Sequence, residues 1–190
     1  METKNFIFGY GSLISEESRK KTGLSKKSYI AKLNGFKREW NIKIHEAKAT
    51  ALGIIKNSES FCNGIIFEIP EKEIKNFDKR ENKYYSRIEI DPNSLNIKEF
   101  PNIQNIKIWV YVTKKPTTPT KDFPILLSYI DVVLNGCLKI NENFAKDFIN
   151  TTSNWKYTEN DRNNPRYPRA EKNTPKNKID KLLKKELTKN

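Results

Sequence analysis

Histidine is nearly missing from this chain, and cysteine is scarce. One histidine, His45, and two cysteines, Cys62 and Cys137, stand among 190 residues. No CxxC or comparable spacing links them, so the sequence lacks the ligand pairs of a structural zinc site or a dithiol redox centre. Both cysteines lie in apolar surroundings and read as reduced core thiols. No apolar run approaches the ~20 residues of a membrane span, and the N-terminus has no segment of signal-peptide type. The expectation is a cytoplasmic protein with no membrane partner. Acidic residues are also in deficit: 23 against 36 lysines and arginines, a net charge of +13. A polyanion would suit that excess. The basic residues are mostly lysines, however, and scattered, with no arginine stripe, zinc finger or RNP-like aromatic strand. Asparagine and isoleucine are equally inflated, which points to a compositional bias. No specific nucleic-acid partner is expected, and a basic polyanion-binding protein is kept only as an alternative.

Aromatic content of 11% argues against general disorder. The length suits a single domain, here residues 1–170, followed by a lysine-rich helix or tail at 171–190. The most informative stretch comes early. Phe6-Ile7-Phe8 is a β-favouring run without polar alternation, the pattern of a strand end buried on both faces. It opens into Gly9-Tyr10-Gly11-Ser12-Leu13, where glycines allow positive φ or a close approach of backbone or ligand. Ser15-Glu16-Glu17-Ser18 then resembles a helix start with an acidic first turn. Such a turn presents successive N–H groups that can hold a carboxylate, a phosphate or an oxyanion. The plain alternative is a tight turn whose glycines satisfy geometry alone.

Residues 29–44 have strand character, with Asn34-Gly35 as a turn or bulge signal. The runs 50–55 and 61–69, around polar residues 57–60, read as a hairpin. Pro70 opens a helical period to about residue 79. Strands are expected at 84–90 and 106–113. After a Pro/Thr linker, a helix capped by residues 122–124 is expected to run to about 138. A second helix at 142–150 is capped by Asn141. Strands followed by a helical C-terminal third make the fold α+β.

Glu81 lies where a helix gives way to a strand, a place from which a side chain can project into a cleft. Among Lys79, Arg80 and Lys83 its plain reading is a solvated surface charge. His45 is the alternative base, with no visible partner. Ser12 lacks the G-x-S-x-G elbow of a serine nucleophile.

Together, Phe8-Gly9-Tyr10-Gly11-Ser12-Leu13-Ile14, Ala51-Leu52-Gly53, Gly64-Ile65-Ile66-Phe67 and Asp78-Lys79-Arg80-Glu81-Asn82-Lys83-Tyr84-Tyr85 resemble the γ-glutamylcyclotransferase-like family, including its ChaC-type and plant-like relatives. The resemblance runs over most of the first 115 residues. It implies a mixed, partly closed β-barrel with peripheral helices, and a cofactor-independent, metal-free conversion of a small γ-glutamyl compound to 5-oxoproline. It places the γ-glutamyl unit against Tyr10, Gly11, Ser12 and Leu13, with Phe8 and Gly9 entering the loop, and makes Glu81 the catalytic acid/base. Asn82-Lys83 stand where family members often carry a glycine. Which of Tyr84 and Tyr85 faces the pocket therefore stays open, with Tyr85 carried as the candidate. The C-terminal part resembles a longer branch of the family. There residues 161–169, with Arg162, Arg166 and Arg169, either shape substrate choice at the pocket mouth or strap the surface. A non-catalytic binding module of the same fold is the second alternative.

Overall fold

The computed structural model describes residues 3–81, 83–99 and 105–188. At the centre of its main sheet is β1 (Lys4–Gly9), whose Phe6, Ile7 and Phe8 are fully buried. They are buried on both faces because the strand is enclosed on both sides. β3 (Ala49–Ile69) pairs with it antiparallel, and β6 (Ile106–Thr113) pairs with it parallel. β2 (Ser28–Ile44) pairs along β3, and β4 (Tyr85–Glu89) along β6. β5 (Leu95–Ile97) and β8 (Thr152–Ser153) both pair with β2. The order is β4-β6-β1-β3-β2-β5. β4 and β5 stand on opposite edges, yet only residues 90–94 join them. That short link curls the sheet toward a barrel. Its interior holds Phe6, Phe8, Leu33, Ile54, Ile66 and Ile108 in one cluster, with Leu95 and Ile97 at the seam.

Residues 50–55 and 61–69 do not form a hairpin with each other. Both belong to β3 and both pair with β2, through Lys37↔Ile55 and Phe36↔Lys56 on one side and Asn34↔Phe61 on the other. Gly35, at φ 79°, sits in the register shift between Asn34 and Phe36. The polar residues between Lys56 and Phe61 bulge outward opposite it. A bulge absorbs extra residues and bends the pair, whereas a reversal there would have left half of β2 unpaired.

α1 (Glu16–Lys20) is capped by Ser15, whose hydroxyl accepts the Ser18 N–H. α2 (Ile74–Glu81) covers the outer sheet face, where Phe77 packs on Phe67 at 5.7 Å between ring centres. The C-terminal third comprises α3 (Leu127–Ile140), α4 (Glu142–Asn150) and α5 (Lys176–Leu187). It packs around Trp40, with Val133, Phe148, Ile179 and Leu182 buried in that cluster. Asn141 caps α4 as expected, its Oδ1 accepting the Phe144 N–H at 2.8 Å. α3, by contrast, begins later than residues 122–124. Ile125–Leu126 form a short strand, β7, against β9 (Thr158–Glu159). The helix start is served from a distance instead: Asp161 accepts the Ser128 N–H at 2.9 Å and its hydroxyl at 2.6 Å. Gly136 lets α3 approach the loop after β1, since a Cβ there would lie 2.8 Å from the Ser15 nitrogen.

Candidate active site

The glycines after β1 serve close packing, not a left-handed turn. Neither Gly9 nor Gly11 has positive φ. A Cβ on Gly9 would sit 2.9 Å from the Leu13 Cβ, so only glycine lets the chain fold back this tightly. A single 3₁₀ turn follows at Ser12–Ile14, closed by the Ile14 N–H on the Gly11 carbonyl at 2.9 Å. The leading N–H groups of such a turn have no acceptor within it.

Two buried arginines hold the carbonyls of this loop. Arg38 donates to the Tyr10 carbonyl at 3.1 Å, and Arg19 to those of Leu13 and Ile14 at 2.8 and 3.0 Å. N–H and C=O point oppositely in a trans peptide. Arg38 therefore turns the Gly11 N–H away from itself. Arg38 is fully buried without a carboxylate partner among the described residues. Asn63, Phe148, Thr151 and Thr152 take its remaining donors, and the Phe148 ring lies 3.7 Å beneath it. Burial lowers its pKa to about 10, which leaves it charged at neutral pH.

Glu81, the last residue of α2, faces this loop across Arg80. The Arg80 Nε lies 2.7 Å from the Glu81 carboxylate, and its Nη2 donates to the Ser12 Oγ at 2.8 Å. Its Nη1 donates to the Thr22 Oγ1 at 2.7 Å. One guanidinium thus ties the end of α2 to the loop after β1. Glu81 is only 13% exposed. Burial pushes its pKa up, and Arg80 and then Arg169 pull against that without cancelling it. A carboxyl whose pKa is raised holds a proton more readily than an ordinary one, which suits a group that must both take and return it.

These groups line one cavity of about 320 Å³, a volume that suits a small ligand. Phe8, Tyr10, Gly11, Ser12, Leu13, Glu81 and Tyr85 all line it, while Gly9 lies behind the loop. Tyr84 lines it too, at the rim. Its hydroxyl donates to Glu46, which also pairs with Lys83. The Tyr85 hydroxyl is held inside by the Leu52 carbonyl at 2.6 Å. Six of the eight tyrosines line the cavity. Tyr129 and Tyr167 stack face to face at 4.2 Å, and Tyr10 donates to the Tyr111 carbonyl at 2.7 Å. Burial raises the pKa of every one of these buried phenols, so they stay neutral.

His45 is exposed against Phe123, outside the cavity. Ser12 accepts from Arg80 and has no base beside it. Among the described residues no group of three His, Cys, Asp or Glu side chains could hold a metal ion. Arg162 points away from the cavity and pairs with Asp131 and Asp180. Arg166, Tyr167, Pro168 and Arg169 do line it.

The family model described as gamma-glutamyl cyclotransferase, AIG2-like, matches residues 7–128. The chain belongs to this family. A search among curated proteins finds no match. Solved structures share the fold. One named gamma-glutamyl cyclotransferase is 13% identical, with 96% of this chain and 99% of that chain covered and a TM-score of 0.60. A human protein described as uncharacterized is 14% identical over 96% of this chain and 99% of that one, with a TM-score of 0.61. A yeast gamma-glutamyl cyclotransferase specific to glutathione is 12% identical over 98% and 97%, with a TM-score of 0.52. At these identities the likeness is one of fold. Within this γ-glutamyl cyclotransferase-family chain, the loop and Glu81 fall inside the matched residues. Tyr129 and the whole segment from Arg166 to Arg169 fall outside them.

Proposed function

We propose that this protein is a γ-glutamyl cyclotransferase in which Glu81 is the general acid and base. The observation that carries the reading is the Arg80 bridge, which holds a buried carboxyl of raised pKa and the Tyr10–Leu13 loop on one cavity. In a γ-glutamyl amide the substrate's own α-amine is the nucleophile. Glu81 takes a proton from the α-ammonium group, and the freed nitrogen attacks the γ-carbonyl carbon. The tetrahedral intermediate then collapses as the bond to the leaving nitrogen breaks: Glu81 returns its proton to that nitrogen, and the second proton shed by the ring nitrogen is taken up by the departing amine, which leaves as its ammonium ion. The products are 5-oxoproline and the free amine, with no water consumed and no metal or redox partner required.

Closing a five-membered ring within one molecule gains most from orientation. Well-placed intramolecular reactions reach effective molarities of ~10⁵ M and above. The tyrosine-walled cavity supplies that folding of the substrate. The loop N–H groups receive the anionic oxygens of the γ-glutamyl unit, where fixed backbone donors act without reorganisation. Proton transfer by Glu81 adds ~10²–10⁴-fold.

The test is to incubate the purified protein with a panel of γ-glutamyl amino acids, peptides and amines, and to measure 5-oxoproline and the free amine together. Equimolar release from at least one member is the expected result. A folded protein that releases 5-oxoproline from none of them would refute the proposal.

A further inference from the structure

The segment 161–169 lies beyond the family-matched residues 7–128, and its placement is tightly fixed. Asp161 is buried and accepts from Ser128 at the start of α3 and from the Arg166 N–H, closing a loop on itself. Arg162 clamps Asp131 of α3 at 2.6 Å and Asp180 of α5 at 2.7 Å. Tyr167 stacks on Tyr129. A strap pinned at three places presents its remaining side chains with little entropy left to lose on binding.

Of the three arginines that line the cavity, Arg80 and Arg166 lie against a carboxylate. Arg80 spends its donors on Glu81, Ser12 and Thr22. Arg162 pairs with two aspartates, and the Arg166 Nη2 lies 2.7 Å from the Glu159 carboxylate, although its buried Nε and Nη2 make no hydrogen bond. Arg169 has no carboxylate partner among the described residues. Its Nε is buried without a hydrogen bond, and among the described residues its Nη2 makes one hydrogen bond, at 3.3 Å to the Thr22 Oγ1 that Arg80 already uses. Desolvation first, and then the neighbouring Arg80, lower its pKa, more than Tyr167, Glu81 and Tyr129 raise it. Two guanidinium groups therefore share one hydroxyl at a cavity whose buried carboxyl pairs with Arg80 and acts on Arg169 at longer range. Such an arrangement is relieved by an anion. Arg169 lines the same cavity as the loop that would receive the γ-glutamyl unit, and is linked to Ser12 of that loop through Thr22 and Arg80.

We propose that Arg169 is a specificity-determining residue that receives a carboxylate on the leaving portion of the substrate. γ-Glutamyl compounds whose leaving amine carries an acid group, such as an amino acid or a peptide, are then turned over in preference to γ-glutamyl amines. This rests on the cyclotransferase reading above. Arg162, which is paired with Asp131 and Asp180 and does not line the cavity, takes no such part.

The experiment compares γ-glutamyl-alanine with γ-glutamyl-ethylamine, which differ by the carboxylate alone, in the wild-type full-length chain, Arg169→Gln and Arg169→Lys. A charged hydrogen bond corresponds to roughly 10- to 100-fold in binding. The wild type is expected to favour γ-glutamyl-alanine in kcat/KM by about that factor. Arg169→Gln collapses the ratio, chiefly through KM for the acid, and Arg169→Lys retains part of it because it keeps the charge without the bidentate fork. Equal wild-type turnover of both substrates, or preference for the ethylamide, overturns the inference and leaves the cyclotransferase reading standing. An equal loss on both substrates in Arg169→Gln also overturns it, because the group read would then be common to both. Melting curves establish that the variants fold. Should the glutamine variant fail to fold, the wild-type ratio and the lysine variant decide. Absence of 5-oxoproline from both substrates overturns the activity itself, and this inference with it.

Discussion

Replacing Arg38 by lysine should both destabilise the protein and disable the loop, because one guanidinium links β2, β3, α4 and the Tyr10 carbonyl. It makes six hydrogen bonds, to the Tyr10, Asn63 and Phe148 carbonyls, the Asn63 Oδ1 and the Thr151 and Thr152 hydroxyls. A lysine ammonium has three donors on one nitrogen and cannot reach around this ring of acceptors. At least three acceptors then lose their donor in a region without solvent. Each unmet buried group costs about 1–3 kcal/mol, and relaxation recovers part of the sum, so a loss of about 3–5 kcal/mol follows. At ~2–4 °C per kcal/mol for a chain of this size, the melting temperature should fall by roughly 6–20 °C. The Tyr10 carbonyl would also be free to turn, moving the Gly11 N–H. A misplacement of about 1 Å at a site that works by orientation costs ~10²-fold in rate. Calorimetric melting and kcat/KM measured well below the transition check both parts. A melting point within ~3 °C of wild type together with unchanged kcat/KM would refute the role given to Arg38.

Gly64→Ala should cost about 1–3 kcal/mol by overpacking, since its Cβ would meet the Gly9 carbonyl oxygen at 2.5 Å and the Phe8 ring at 2.6 Å; urea unfolding measures this. The pH profile of kcat/KM should show an acid limb above the ordinary carboxylate range, because burial raises the Glu81 pKa and the base must be ionised to accept the proton. His45→Ala should leave that limb in place, its ring lying outside the cavity. The same raised pKa has a stability sign. The favourable contribution of neutral Glu81 is complete below its unfolded pKa and is lost as pH rises through the folded one.

Much of the fold is legible in local sequence. The unbroken Phe6-Ile7-Phe8 run marks a central strand, Asn34-Gly35 marks the bulge, and Asn141 marks the start of α4, because each follows from the chemistry of neighbouring residues. The hairpin expected at 50–69 fails because polar residues 57–60 signal a turn and a bulge alike, and only the partner strand decides between them. The start of α3 is misplaced because its capping carboxylate, Asp161, comes from 33 residues away. The site divides in the same way. The loop and Glu81 are carried by motifs, whereas Arg38 is one of 36 basic residues with no local mark of burial. Its partners at Phe148 and Thr152 are 110 and 114 residues distant. Tyr129 carries no signal in its helix, since its role comes from stacking on Tyr167 of the strap.

Glu81→Gln tests the central claim most directly. Glutamine keeps the volume and can still hydrogen-bond to Arg80, but it cannot accept a proton from the α-ammonium group at neutral pH. With the fold verified by melting, and substrate binding measured calorimetrically, the account predicts that binding persists while 5-oxoproline release falls by at least ~10²-fold and the acid limb disappears. Release of 5-oxoproline at near wild-type rate by Glu81→Gln would contradict it.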